Sequence, residues 1–172
     1  HPPATIRRQR QMCIRDSITI KPQDYLPKEE IAELDIKQFL FRELLLKEKD
    51  FREAMKLHDW NQYQGKVLTL HCSNDAIVPT WAFMLATSYA SGVAEKIIFG
   101  DKKTATEMLV KDNINKADFS QFEGKRIVVK GCGDEEVPVS AYTMLTEKLR
   151  PFATSVMYGE PCSTVPIFKV KR

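Results

Sequence analysis

"HDWNQYQGKVLTLHC" at positions 58–72 returns as "ADFSQFEGKRIVVKG" at 117–131, an offset of 59 residues. Carried onward without gaps, the offset sets Asp75 on Asp134, Val78–Pro79 on Val137–Pro138 and Ala82 on Ala141. "IIFGD" at 97–101 then falls on "VMYGE" at 156–160. Where identity lapses the apolar character persists, as at Trp60/Phe119, Phe83/Tyr142 and Leu85/Met144. Self-similarity at a fixed period marks a duplicated supersecondary unit. With only two copies, it predicts a pseudo-symmetric domain and not a solenoid.

Both copies share one grammar. "KVLTLHC" and "KRIVVKG" are short β-rich runs with glycine before them and polar turn residues after them, and read as strands. "VPTWAFMLATSYASGVA" and "VPVSAYTMLTEKLRPFA" follow, with proline at the start and large apolar residues at helical spacing. In the first of these, Trp81, Leu85 and Tyr89 recur every four residues. "EKIIFG" and "TSVMYG" are again strand-like. Between the copies, "TATEMLVKDNINK" supplies a third helix, with Thr104 and Glu107 at capping-box spacing.

The order from 66 to 158 is therefore β-α-β-α-β-α-β, which predicts an α/β fold with a parallel sheet covered by helices. The expectation is a single domain over residues 18–172, built from two duplicated β-α-β units with repeat halves 43–101 and 102–160. Strands near 67–72, 95–99, 126–131 and 154–158 are expected to be parallel neighbours. Upstream, "ITIK" reads as an edge strand and "EIAELDI" as a strand or a helical turn. "KQFLFRELLLKEKDFREAMKLHD" has mostly helical period and reads as one broken or two short helices. The tail "PCSTVPIFKVKR" reads as a loop and a last strand.

"RRQRQMCIRDS" at 7–17 matches none of this patterning. All eleven residues fit one reading frame of a transposase sequencing adapter. Residues 1–17 are accordingly read as a translated scar and set aside from the fold. The formal charge is +3, and Arg7, Arg8, Arg10 and Arg15 less Asp16 account for all of it. The rest sums to zero, which removes the electrostatic footprint a nucleic-acid partner needs. No apolar run reaches the ~18–20 residues that span a bilayer, and no secretory leader pattern is visible. Beyond the scar stand Cys72, Cys132 and Cys162. An odd number without a leader points to free or metal-bound thiols in a reducing compartment.

Ligands of open parallel sheets bind beyond the carboxyl ends of the strands. Cys72 ends the first repeat strand, Cys132 follows the third and Cys162 the fourth. If strands one and three are central neighbours, the three thiols face one crevice. Converging thiolates suit zinc or an iron–sulfur cluster, and Cys72, Cys132 and Cys162 are the candidate metal ligands. No CxxC pair supports this locally, and buried cysteine also serves as a small hydrophobe.

Asp75 and Asp134 occupy matched loops, "CSNDAIVP" and "GCGDEEVP", and are the candidate cofactor-binding carboxylates. Ligand, general base and helix cap are the three roles open to them, with the cap favoured just before a helix. Gly131 and Gly133 permit a tight turn or a close approach to a ligand. His71 and Cys72 are adjacent on a strand, so they point to opposite faces and form no dyad. His58 reads as a helix-end residue. Trp60, Tyr63, Phe119 and Phe122 read as core plugs.

At "LLKEKDFREAMKLHDWNQYQGK", "HCSNDAIVPTWAFMLATSYA" and above all "SVMYGEPCSTVPIFK", the chain resembles a bacterial domain-of-unknown-function family, the 2480 family. The resemblance runs from Ile18 to Lys169. It implies a small cytoplasmic protein. Genes of that family often neighbour the sulfur-mobilisation system, which implies an accessory role beside iron–sulfur assembly proteins. Three functional classes follow: a metal- or cluster-binding accessory, a small-molecule enzyme or binder using His71 or the two aspartates at the same strand edge, and a structural adaptor. No nucleic-acid or membrane partner is expected.

Overall fold

The computed structural model describes residues 17–131, 133–160 and 163–171. Residues 1–16 of the adapter-like stretch, Cys132 and Cys162 lie outside the described residues, whereas Ser17, set aside with that stretch, is part of the fold and pairs with Arg126. The chain is α/β, and its contacts divide it into two compact units: Pro27–Met108, and the flanking segments up to Leu26 and from Leu109.

In the Pro27–Met108 unit, β2 (Ile31–Asp35), β3 (Val67–His71) and β4 (Lys96–Phe99) form a parallel sheet in that order. Helices α1 (Glu48–Leu57) and α2 (Thr80–Ala90) contribute to its core. That core joins Leu34, Leu68 and Leu70 to Phe51, Met55 and the α2 alanines. Trp60 is buried as expected, donating its indole N–H to the Met55 carbonyl at 2.8 Å and stacking on Tyr89. The fully buried stripe of α2 is not Trp81, Leu85 and Tyr89 but Ala82, Ala86 and Ala90, whose small side chains permit close packing.

In the flanking unit, β1 (Ser17–Ile20), β5 (Arg126–Val129) and β6 (Ser155–Glu160) are parallel, and β7 (Ser163–Lys169) returns antiparallel on β6. Helix α3 (Lys102–Lys116) carries the chain from one unit to the other, and α4 (Val139–Leu149) connects β5 to β6. Ile20, Ile114, Ile127, Leu145 and Val156 are among its buried core.

The expectation of one sheet is corrected: among the described residues there are two, and there the four repeat strands are neighbours only in the pairs β3–β4 and β5–β6. The reason is occupancy of hydrogen-bonding edges. β2 lies along β3 from Ile31↔Val67 to Asp35↔His71, and β1 lies along β5 from Ser17↔Arg126 to Ile20↔Val129. Each of β3 and β5 thus has both edges filled, and a strand has only two. "ITIK" is indeed an edge strand, and "EIAELDI" supplies the strand and not a helical turn.

The segment read as one broken or two short helices also resolves differently. A 3₁₀ turn at Ile36–Phe39 runs into a tight hairpin where Phe41 and Leu45 bridge, and only then does α1 begin. Arg42 and Glu43 take positive φ angles of 50° and 61°, which a right-handed helix excludes. A Lys37–Glu43 ion pair at 3.2 Å and a hydrogen bond from Asn74 Nδ2 to the Glu43 carbonyl hold that conformation.

Candidate functional site at a strand edge

Parallel pairing brings the carboxyl ends of β2, β3 and β4 to one edge. Asp35 and His71 are direct register partners there. The Gly100 N–H donates to the Leu70 carbonyl at 2.9 Å, which fixes where the chain leaves β4 for Asp101.

Asp35 accepts the backbone N–H groups of Lys37 at 3.0 Å and Ser73 at 3.1 Å. Burial pushes its pKa upward. The hydrogen bonds from Ser73 and Lys37, helped by the His71 charge, outweigh this and hold the carboxyl below its ordinary value. Asp101 accepts the Thr104 backbone N–H at 2.8 Å and the Thr104 hydroxyl at 2.7 Å, and these bonds lower its pKa. Asp101, and not Thr104, therefore caps α3, correcting the capping-box reading. Glu33 adds an acceptor for the Lys102 N–H at 3.2 Å.

His71 stands electrostatically coupled to both Asp35 and Asp101. Its Nδ1 is a buried side-chain nitrogen with no hydrogen-bond partner among the described residues. Cys72 points the other way, as strand alternation requires. It packs against the Leu68–Leu70 core, and its thiol donates to Asn74 Oδ1 at 3.0 Å. The same Asn74 oxygen accepts the Ala76 N–H at 3.2 Å, so Asn74 organises the loop after β3.

The geometric premise for a shared thiol crevice does not hold, because β3 and β5 belong to different sheets. Among the described residues no group of three or more His, Cys, Asp or Glu side chains is arranged to hold a metal ion. Asp75 and Asp134 are exposed, and the cap reading for them is overturned. The N-caps of α2 and α4 are Pro79 and Pro138, without a side-chain cap bond. Gly131 and Gly133 do provide close approach, but to side chains of this chain: a Cβ on Gly131 would lie 2.6 Å from Tyr158 Cζ, and one on Gly133 would strike Gln23.

His58 does sit at the C-cap of α1, yet not as the cation that suits a helix end. It bonds Tyr63 Oη at 3.0 Å, stacks on that ring and meets Phe39 and Trp60 edge-on. Desolvation lowers its pKa, overcoming the opposing charge of Asp59.

The family described as "Protein of unknown function (DUF2480)" matches residues 11–170. The chain belongs to that family. No curated protein and no solved structure matches it. In this DUF2480 chain no described helix is long and apolar enough to cross a membrane.

Of the residues the sequence singled out, His71 is the one that this DUF2480 edge sets in register with a carboxylate residue, Asp35. Asp35, Asn74 and Asp101 were missed. Asp101 had a local signal, since Asp followed three residues later by Thr at a helix start is a capping pattern. Asp35 had none, because only the β2–β3 register sets it opposite His71. An imidazole nitrogen without a partner can donate or accept a hydrogen bond, according to its tautomer.

Proposed function

We propose that this protein binds a small polar molecule at the carboxyl edge of the β2-β3-β4 sheet, with the half-buried His71 imidazole as the recognising group. The observation that carries the reading is the orphaned nitrogen itself. Buried polar atoms are nearly always paired, and leaving one unpaired lowers stability. The edge is also where parallel sheets take their ligands. Asp35, tied to two backbone N–H groups, acts here as a fixed neighbouring charge and not as a mobile base.

A thermal-shift screen of sugars, amino acids, nucleosides and small carboxylic acids tests this on wild type and His71→Gln. At least one class should raise the wild-type Tm and lose that effect in the variant. Equal shifts in both proteins, or none in either, would remove His71 as the recognition site.

The competing reading is an iron–sulfur assembly accessory that holds zinc or a cluster through Cys72, Cys132 and Cys162. It is favoured by the order of the sequence, in which the three cysteines follow three different strand-like runs. The thiol of Cys72, already donating to Asn74, weighs against it. Metal analysis after anaerobic purification decides: stoichiometric zinc or iron that disappears in Cys72→Ser would replace the His71 reading. We also read the two units as copies of one β-α-β element, supported by the way "VPTWAFMLATSYA" and "VPVSAYTMLTEKL" supply α2 and α4 at matching points of the offset.

A further inference from the structure

The amino edge of the other sheet carries a second and chemically different feature. Because β5 and β6 are parallel, Arg126 and Ser155 lie side by side at their starts. Because β7 runs back antiparallel, its end Lys169 pairs with Ser155 at the same edge. The Val170 N–H then donates to the Thr154 carbonyl at 2.9 Å, which holds the tail and Lys171 along that edge. Sequence alone separates Arg126 from the two lysines by more than forty residues, and one antiparallel return gathers them.

They line a groove of about 700 Å³ whose apolar lining includes Met157, Pro166, Phe168 and Val170. That volume is within the roughly 300–1,000 Å³ of small-molecule sites, which are mostly apolar with a few convergent polar groups. Among the described residues no carboxylate lines the groove. Arg126, Lys169 and Lys171 make no ion pair among the described residues. Arg126 is half-buried, and its guanidinium offers a planar fork of N–H donors that suits a carboxylate or phosphate. An added peptide strand is a poor fit, because Pro166 removes a donor from β7 and the β6–β7 register is broken at Val156/Met157.

We propose that this groove binds a small anionic amphiphile: a carboxylate or phosphate head at Arg126, Lys169 and Lys171, and an apolar body over Met157, Pro166 and Phe168. The site lies in the other unit from His71, so the failure of either proposal leaves the other standing.

Calorimetric titration with octyl phosphate, octanoate, octanol and inorganic phosphate tests it on the full chain. Octyl phosphate or octanoate should bind, and whichever binds more tightly identifies the head group. Octanol and inorganic phosphate should each bind at least about tenfold more weakly, because each lacks one half of the recognition. Replacing Lys169→Gln together with Lys171→Gln should weaken binding about tenfold, the scale of a lost charge-assisted hydrogen bond, with Tm unchanged because both side chains are exposed. Lys56→Gln with Lys103→Gln, which removes the same charge outside the groove, should leave affinity as it was. The proposal is overturned if neither anion binds, or if octanol or phosphate alone binds as well. It is equally overturned if the two lysine pairs have equal effects. Arg126→Gln gives a second reading of the same site, with a larger loss expected.

Discussion

Asp35 Oδ1 accepts the Ser73 backbone N–H at 3.1 Å, so the end of β2 holds the loop that follows β3. The same oxygen caps the 3₁₀ turn at Ile36–Phe39 through Lys37 N–H. Asp35→Ala should lower stability by about 1–2 kcal/mol, the size of a lost cap, as read by urea melts at pH 7. The folded pKa of Asp35 is depressed, so its stabilisation is complete above the ordinary value of 3.8 and fades as pH falls through the folded value. Asp35→Asn should therefore show a shallower loss of stability than wild type between pH 5 and the acid limit. Parallel acid curves would show that the carboxylate charge contributes nothing.

His58 gives a second pH dependence in a different window. Its folded pKa lies below the ordinary imidazole value of 6.5, because the site favours the neutral ring. The unfolded chain then binds the proton more readily, so stability is fully present above 6.5 and declines as pH falls toward the folded value. Melting temperatures at pH 7.5 and pH 5.5 should differ more in wild type than in His58→Gln, where the titrating ring is gone. An equal difference in the two proteins would place the pH response elsewhere.

The orphaned His71 Nδ1 makes a prediction about stability alone. His71→Leu removes a buried polar atom without a partner and keeps an apolar side chain of similar reach. Stability should rise by about 1 kcal/mol, read as a higher Tm without added ligand. A fall in Tm would mean that the imidazole is already satisfied and contributes to folding.

Gly100 joins β4 to the cap of α3. Its φ is +134°, and a Cβ there would lie 2.8 Å from Thr104 Cβ, a branched side chain fixed by its bond to Asp101. Gly100→Ala should destabilise by about 1–3 kcal/mol, from backbone strain and displacement of Thr104 together. Chemical denaturation measures it, and a variant as stable as wild type would show that α3 can shift at its start.

Local patterns were legible where neighbouring residues decide them. β-rich runs bounded by glycine read as β3 and β5, and the proline-led apolar stretches read as α2 and α4. These follow from side-chain periodicity and backbone preference, which act over a few residues. The length and charge arithmetic likewise needed only composition. Which strands pair did not follow, because a strand offers two hydrogen-bonding edges without addressing them. Only the tertiary arrangement placed β2 beside β3 and β1 beside β5, making two sheets where the repeat suggested one. That arrangement set Asp35 opposite His71 and gathered Arg126, Lys169 and Lys171 at one edge. Both candidate sites depend on contacts between residues far apart in the chain, and sequence spacing records no such distance.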